Sequence, residues 1–203
     1  MMITLTDTEL SSFSRLMFDA AGINLAPSKK ALVEGRLSKR LHALGLPSFT
    51  AYLQHLRTDA AERQQAIDLL TTNETYFFRE PRHFAYLSEN IVPAMDTSHA
   101  LRVWSAACSS GEEPYSIAMV LAERMGQQPW EIVASDISTR ILDQARRAIY
   151  PMERAEKIPQ SYLKAFCLKG VGAQAGSFTL QPSIRERVRF QAINLNTALP
   201  DNG

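Results

Sequence analysis

Apolar residues recur at helical spacing along the first third of the chain. Leu10 and Phe13 follow Thr6 and Glu9, whose spacing is typical of a capping box at a helix start. Gly22 and Gly45 are typical helix ends, and Pro27, Ser48 and Asp59 are typical helix starts. These signals predict a small helical bundle over residues 1–72.

After a short linking segment, the pattern changes to short apolar runs that alternate with helical stretches. Strands are predicted for Leu101–Ala106, Glu131–Asp136 and Val188–Leu195. Helices are predicted for Pro81–Met95, Pro114–Gly126 and Ser138–Ile149. Because buried strands that alternate with helices are typical of parallel sheets, we expect an α/β domain with these strands in one main sheet.

The alternation is interrupted between Tyr150 and about Arg187. Within this stretch, Cys167–Gln181 has the pattern of two short strands around a glycine-rich turn. We therefore expect a small antiparallel insertion over about residues 151–187. It is either a surface excursion without a function or an exposed sheet whose edge can pair with an extended peptide.

Composition narrows the class of protein. The 203 residues carry a formal net charge of +1, so any electrostatic partner needs a local patch. Cys108 and Cys167 are far apart and fit neither a disulfide scaffold nor a zinc pattern, which favours a reducing cytoplasm. No apolar run has membrane-spanning length, and the first residues lack the pattern of a signal peptide. We expect a cytoplasmic protein without membrane insertion and without a metal site.

The second predicted helix carries the local positive charge. Its basic residues are Lys29, Lys30, Arg36, Lys39 and Arg40, against the single acid Glu34. Helical geometry places Lys29, Arg36 and Arg40 in one row, beside an apolar row formed by Val33, Leu37, Leu41 and Leu44. The basic row is either a solvated face or a surface for an acidic partner. A nucleic acid is less favoured, because no aromatic residues interleave with the charges.

Two further stretches contain candidate chemistry. In LLTTNETYFFRE, Asn73, Thr75 and Arg79 surround three aromatic residues, which is typical of either a buried hinge or a hinge whose polar groups face a ligand. The guanidinium fork of Arg79 suits a carboxylate. We call residues 73–80 the hinge segment.

The other stretch, LRVWSAACSSGEEPY, predicts a strand, a turn of small residues and a helix start, which is a common cradle for nucleotide-like ligands. The only glycine in it is Gly111, and the adjacent Glu112 and Glu113 would repel a pyrophosphate. These acids suit a ligand with hydroxyls and positive charge, such as S-adenosylmethionine. Asp136 ends the next strand about 20 residues further on, where nucleotide-binding sheets hold a ribose hydroxyl. The alternative to a ligand site is an ordinary strand–turn–helix in which the acids favour the helix start and Asp136 caps the following helix.

Together these segments resemble one family, the chemotaxis-receptor glutamate O-methyltransferases. The resemblance rests on TTNETYFFRE, VWSAACSSGEEPYSIA, ASDIS and the pair Asn194–Leu195, which stand in the family's order. It implies a helical domain that meets the receptor and a Rossmann-like methyltransferase domain that uses S-adenosyl-L-methionine and releases S-adenosyl-L-homocysteine. It also implies a small inserted antiparallel β subdomain, which in some members docks a peptide at the receptor's C-terminus.

The resemblance also implies domain boundaries and residue roles. The domains are a receptor-contacting bundle over 1–72, the hinge segment, and an incomplete methyltransferase domain over 81–203. Cofactor contacts are expected from Asn73, Thr75, Arg79, Glu113, Asp136, Asn194 and Leu195, with Arg79 also near the reacting centre. Asp136 would bind the ribose hydroxyls and Asn194 an edge of the adenine. Arg79 would bind the methionine carboxylate or the substrate glutamate. Receptor contacts are expected from Lys29, Arg36, Lys39 and Arg40.

The implied reaction is methyl transfer to glutamate side chains on the cytoplasmic domain of methyl-accepting chemotaxis receptors, for sensory adaptation. No general base is needed, because a carboxylate is already ionised near neutral pH. The alternatives are a non-catalytic receptor-binding adaptor and a methyltransferase for a small molecule. The chain departs from the family by stopping at Pro200–Gly203, before a strand with an Arg-Asn pair and a later Tyr-Phe pair. We therefore expect a fragment that alone binds the cofactor weakly and turns over little.

Overall fold

The computed structural model describes residues 3–96 and 98–200, and these fall into two structural units. The first unit contains the chain up to Thr72, together with Ile137–Thr139 and the residues from Ile193 onward. The second contains Asn73–Asp136 and Arg140–Ala192. The domain boundaries expected from the sequence stay a prediction.

Within the described residues, the first unit contains four α-helices. They are α1 (Asp7–Ala21), α2 (Lys30–Ala43), α3 (Phe49–Thr58) and α4 (Ala60–Leu70), and a 3₁₀ turn, Pro27–Lys29, precedes α2. The predicted capping box is present, because the Thr6 hydroxyl accepts from the Glu9 N–H at 3.2 Å and the Glu9 carboxylate accepts from the Thr6 N–H at 2.9 Å. Ser48 and Asp59 cap α3 and α4, and Gly22 ends α1 with φ 68°.

Aromatic rings form the centre of this bundle. Phe13, Phe49 and Tyr52 are fully buried, and the rings of Phe13 and Phe49 meet edge to face with centroids 6.1 Å apart. A later stretch of chain completes the unit, because the buried Asp68 carboxylate on α4 accepts from both the N–H and the hydroxyl of Thr139, each at 3.1 Å. The bundle is therefore built from segments that are distant in sequence.

From Pro81 onward, helices and strands alternate as predicted. The elements are α5 (Pro81–Tyr86), β1 (Leu101–Ala106), α6 (Glu112–Met125), β2 (Trp130–Asp136), α7 (Thr139–Arg147), β3 (Ile149–Pro151), α8 (Gln160–Phe166), β4 (Cys167–Lys169), β5 (Ser177–Leu180), α9 (Pro182–Arg185) and β6 (Val188–Ala192). Among the described residues, the main sheet has the order β1-β2-β6, with both pairings parallel. Its register pairs Ala106 with Ser135 and Asp136 with Ala192, so the carboxyl ends of all three strands lie at the same edge.

Two elements differ from the prediction for local reasons. The helix that begins at Pro81 continues beyond α5 as a π-helical turn, Leu87–Ile91, and a 3₁₀ turn, Val92–Ala94. Pro93 explains the irregularity, because it has no N–H for the preceding turn. Strand β6 ends at Ala192 and not at Leu195, and the Asn194 side-chain oxygen then accepts from the N–H of Asn196 at 2.9 Å, which forms a turn.

The insertion forms a separate antiparallel sheet of order β3-β5-β4. The resemblance predicted such a subdomain and the hairpin pattern predicted β4 and β5, whereas β3 was not predicted. A 3₁₀ segment, Met152–Lys157, and α8 accompany it. Its core joins the hinge segment, because Phe77 packs on Tyr150 and Phe178 with ring centroids 5.0 and 5.7 Å away. Residues 73–80 are therefore anchored by an aromatic side chain inside the second unit.

The part of the chain that the structure describes contains no helix that is both long enough and apolar enough to cross a lipid bilayer.

Candidate cofactor site

The turn between β1 and α6 is strained and tied to the end of β2. Ala107 and Ser109 have φ values of 58° and 52°, which are uncommon for residues with a side chain. The Ser109 N–H donates to Asp136 Oδ2 at 2.9 Å, and the Cys108 N–H donates to the Ser135 carbonyl at 2.8 Å. The Asp136 carboxylate is thus fixed beside the turn. Burial and the Asp136 charge raise the pKa of the Cys108 thiol to about 12, so this cysteine is not a nucleophile at neutral pH.

Gly111 is required by packing inside the second unit. Its φ is 96°, and a Cβ atom there would stand 2.9 Å from the Tyr150 hydroxyl and 3.0 Å from the Ala145 Cβ. The Tyr150 hydroxyl also donates to the Ser110 carbonyl at 2.7 Å. The single glycine of the turn therefore makes room for Tyr150 of the insertion rather than for a ligand.

The two adjacent glutamates have different environments. Glu112 is 1% exposed, and it accepts hydrogen bonds from the Ser110 hydroxyl at 2.6 Å and from Arg154 Nη1 at 3.2 Å. Burial raises the pKa of the Glu112 carboxyl, against the effect of these donors. Glu113 is exposed, and its carboxylate accepts from the hydroxyl of Ser105, near the carboxyl end of β1, at 2.6 Å. Glu113 is therefore the member of the pair that can reach a ligand.

The hinge segment holds Arg79 in a strained stretch of backbone. Phe78 and Glu80, on either side of it, have φ values of 55° and 57°. The Phe78 N–H donates to the Ser116 hydroxyl on α6 at 3.0 Å, and exposed Arg79 donates to the Glu74 carbonyl at 2.9 Å. Non-glycine residues in this conformation cluster at functional sites, and here they occur both in the hinge segment and in the β1–α6 turn.

Arg154 connects these two parts of the second unit, and sequence reasoning did not identify it. Its Nη1 donates to the Thr75 carbonyl at 2.6 Å and to Glu112 Oε1 at 3.2 Å. The backbone of the hinge segment is thereby bonded, through one guanidinium from the insertion, to the first turn of α6. No periodicity or motif in the sequence marks Arg154, because its two partners are distant in sequence.

We expect an Arg154→Gln substitution to weaken S-adenosyl-L-methionine binding about tenfold, since it removes the bond to Thr75 and the charge beside buried Glu112. Isothermal titration calorimetry measures the change, and thermal unfolding shows whether the fold persists. Lys157→Ala is the matched control, because this exposed side chain lies in the same 3₁₀ segment. An unchanged cofactor affinity in a folded Arg154→Gln variant would contradict the positioning role.

The structure brings Glu113 and Asp136 to the carboxyl ends of β1 and β2. The hinge segment, which contains Asn73, Thr75 and Arg79, is hydrogen-bonded to the start of α6 through Phe78 and through Arg154. Asn194 and Leu195 belong to the first unit. There, the Asn194 amide donates to the Ala20 carbonyl at the end of α1 at 2.6 Å, and Leu195 is exposed. The cofactor contacts expected of all seven residues stay a prediction.

The basic helix requires one correction. Arg40 Nε donates at 2.8 Å to the carboxylate of Glu62 on α4, and Arg36 Nη1 donates to the carbonyls of Leu69, Leu70 and Thr71 at 3.1–3.2 Å. Glu34 is the only acid of this helix, as the sequence shows, but Glu62 of α4 compensates Arg40, so the shortage of acids within α2 is a weaker argument for an acidic partner. Lys29 and Lys39 are exposed. Receptor contact by Lys29, Arg36, Lys39 and Arg40 stays a prediction.

A cavity of about 500 Å³ opens beside the aromatic residues of the hinge segment. Its lining residues include Tyr76, Phe78, Phe84, Lys157 and Tyr162, and none of the predicted cofactor contacts is among them. This cavity is therefore not the site expected from the sequence.

Two models of one protein family match this chain. A family model described as "CheR methyltransferase, SAM binding domain" matches residues 73–202, and one described as "CheR methyltransferase, all-alpha domain" matches residues 8–71. The chain is 46% identical over 181 residues to chemotaxis protein methyltransferase 2 of Pseudomonas aeruginosa, covering 88% of this chain and 65% of that protein.

Two other relatives with the same activity in their names are similar over nearly the whole chain. The chemotaxis protein methyltransferases of Salmonella typhimurium and Escherichia coli are each 40% identical over 197 residues, which is 95% of this chain and 67% and 68% of theirs. The chain thus spans about two thirds of the length of these relatives. The matches agree with the resemblance inferred from the sequence motifs, and with S-adenosyl-L-methionine as the cofactor of residues 73–202.

Proposed function

The chain belongs to the CheR methyltransferase family, and from this premise we propose that the whole protein transfers methyl groups from S-adenosyl-L-methionine to glutamate side chains of chemotaxis receptors. The names of the relatives, all chemotaxis protein methyltransferases, support catalysis over a non-catalytic adaptor. They also support a receptor as the substrate over a small molecule. The cytoplasmic domain of the receptor is the proposed partner, which implies that the protein acts in the cytoplasm.

One structural observation carries the proposal. Glu113 and Asp136 present carboxylates at the carboxyl ends of adjacent parallel strands, beside a turn whose backbone fixes Asp136 through the Ser109 N–H. Ligands of open α/β sheets bind at this edge. Two acids there suit ribose hydroxyls and a positively charged sulfonium, whereas they would repel a diphosphate. The residues present therefore fit S-adenosyl-L-methionine.

When bound, the cofactor would supply an activated methyl group for transfer from its sulfonium to a glutamate oxygen, with S-adenosyl-L-homocysteine as the product. The attacking carboxylate is already ionised near neutral pH and has no proton to lose, so no protein group has to take one up. The residues of the chain have to position and desolvate the reactants. We assign Asp136 to the ribose hydroxyls, Glu113 to the cationic part of the cofactor, and Arg79 to the methionine carboxylate or the substrate glutamate. Asn194 is proposed for the adenine edge.

Arg79→Ala tests the assignment of the hinge segment. We expect receptor methylation to fall about 100-fold, because loss of the guanidinium removes a carboxylate-orienting group. Transfer of labelled methyl to a receptor cytoplasmic fragment measures turnover, and calorimetry measures cofactor affinity. Arg82→Ala is the matched control, since Arg82 is exposed and lies three residues away in α5. Full affinity and full turnover in Arg79→Ala would refute this role, and a whole protein that does not bind the cofactor would count against the function itself.

A further inference from the structure

A second cavity lies on β6 and the helices beside it, in the second unit. Its volume is about 410 Å³, and its lining includes the guanidinium-bearing residues Arg146, Arg185 and Arg189. None of the predicted cofactor contacts is among the lining residues. Three arginines around one small cavity make it a site of positive potential that the proposed methyl transfer does not use.

Two of these arginines are held in place by acids and backbone. Arg146 Nη1 donates to Asp143 at 2.8 Å, and its Nη2 donates to the Phe190 carbonyl of β6 at 3.1 Å. Arg189 forms an ion pair with Glu131. Because the Arg146 side chain already covers the Phe190 carbonyl, an added peptide strand would have to displace it, so the cavity favours a small ligand over a strand.

Arg185 differs from its two neighbours. Its Nε atom is buried and has no hydrogen-bond partner among the described residues, and no ion pair involves its side chain there. Because this atom is covered, a ligand in the cavity would meet the two terminal nitrogens of the same guanidinium, for which no hydrogen bond is found among the described residues. Asp143 pairs with Arg146, and Glu131 is shared between Arg189 and Arg102, so the three arginines of the cavity carry more positive charge than these two acids offset.

The shape and lining identify the class of anion. Guanidinium forks match the oxygens of phosphate and carboxylate groups, and the excess of positive charge around the cavity favours a phosphate monoester, which carries more negative charge than a carboxylate. Val188 and Phe190 add an apolar wall, and the volume is at the lower end of the range for small-molecule sites. We propose that this cavity binds a small molecule with a phosphate monoester, whose phosphate contacts Arg185 and whose organic part packs on Phe190.

Titration of the chain with phenyl phosphate and with inorganic phosphate tests the proposal by calorimetry at low salt. We expect saturable binding of both, with phenyl phosphate the tighter. Arg185→Ala should weaken phenyl phosphate binding by about tenfold or more, since the unpaired fork is removed. Arg185→Lys, which keeps the charge and loses the fork, should give an intermediate loss. Arg147→Ala is the matched control, because Arg147 is exposed on the same helix as Arg146 and does not line the cavity.

Several results would overturn the proposal. These are absence of saturable binding up to about 10 mM, equal affinity in the parent chain and both Arg185 variants, or benzoate binding as tightly as phenyl phosphate. S-adenosyl-L-homocysteine at saturation should leave the affinity for phenyl phosphate unchanged, and competition between the two would place the phosphate in the cofactor site instead. Because these readouts do not involve methyl transfer, failure here leaves the proposed function intact.

Discussion

Replacing Arg40 by glutamate should unfold the helical bundle at temperatures where the parent chain stays folded. Glu62 is 5% exposed, and its carboxylate accepts from Arg40 Nε at 2.8 Å and from the Tyr52 hydroxyl at 2.7 Å. The hydrogen bond from Arg40 lowers the pKa of Glu62, which stays ionised in its buried position. Removing one partner of such a pair costs about 3–5 kcal/mol, and the partial exposure of Arg40 places the loss near the lower bound. This is a large fraction of the roughly 5–15 kcal/mol that stabilises a typical domain.

Urea unfolding followed by far-ultraviolet circular dichroism measures the loss. Lys39→Glu is the matched control, because Lys39 is exposed and adjacent in α2. We expect Lys39→Glu to keep the stability of the parent chain and its cofactor affinity, and to lower receptor methylation, since it places a negative charge on the proposed docking surface. A folded Arg40→Glu variant with unchanged stability would contradict the structural role of the pair. Charge reversal at Arg36 or Arg40 is unsuited to testing receptor docking, because both side chains hold the bundle together.

Replacing Gly111 by alanine should destabilise the second unit and abolish cofactor binding. The φ of 96° is unfavourable for alanine, at about 1–2 kcal/mol. The added methyl would also press on the Tyr150 hydroxyl and the Ala145 side chain at 2.9 and 3.0 Å, which adds about 1–3 kcal/mol. Relief of the clash would move the turn that carries Ser109, and with it the donor that fixes Asp136.

Gly172→Ala separates the two effects. Gly172 lies in the same unit with φ 58°, and a Cβ there would meet nothing within 4 Å, so this variant isolates the backbone cost. We expect Gly172→Ala to keep cofactor affinity, while Gly111→Ala loses both stability and affinity. Thermal unfolding and calorimetry give the two values. Similar losses of stability in the two variants, or normal cofactor binding by Gly111→Ala, would show that the packing of Gly111 on Tyr150 is unimportant.

Much of the fold could be predicted from local pattern. The bounds of β1 match the apolar run Leu101–Ala106, and Thr6, Ser48 and Asp59 cap helices as their side-chain chemistry predicts. Strand β3 was missed because three residues are too few to show a period. The different environments of Glu112 and Glu113 also lie outside sequence reasoning, since Glu112 is buried and bonded to Arg154 of the insertion, whereas Glu113 is exposed and bonded to Ser105 of β1.

The candidate site was predicted less completely than the fold. Motif order and a resemblance indicated Arg79, Glu113 and Asp136, yet they carried no information about what holds these residues in place. The Arg154 bridge and the Arg40–Glu62 pair are contacts between elements that are distant in sequence. A helical wheel of one helix cannot show an acid supplied by another helix, which is why the charge of α2 looked uncompensated.

The discontinuity of the first unit has a consequence for dissecting the protein. Limited proteolysis between residues 72 and 73 would sever the backbone once, but the fragment up to Thr72 would still rely on Thr139 to satisfy Asp68 and on Ile137 to cover part of its apolar core. The two fragments should therefore co-elute after cleavage. The shorter one expressed alone should be less stable than it is within the intact polypeptide.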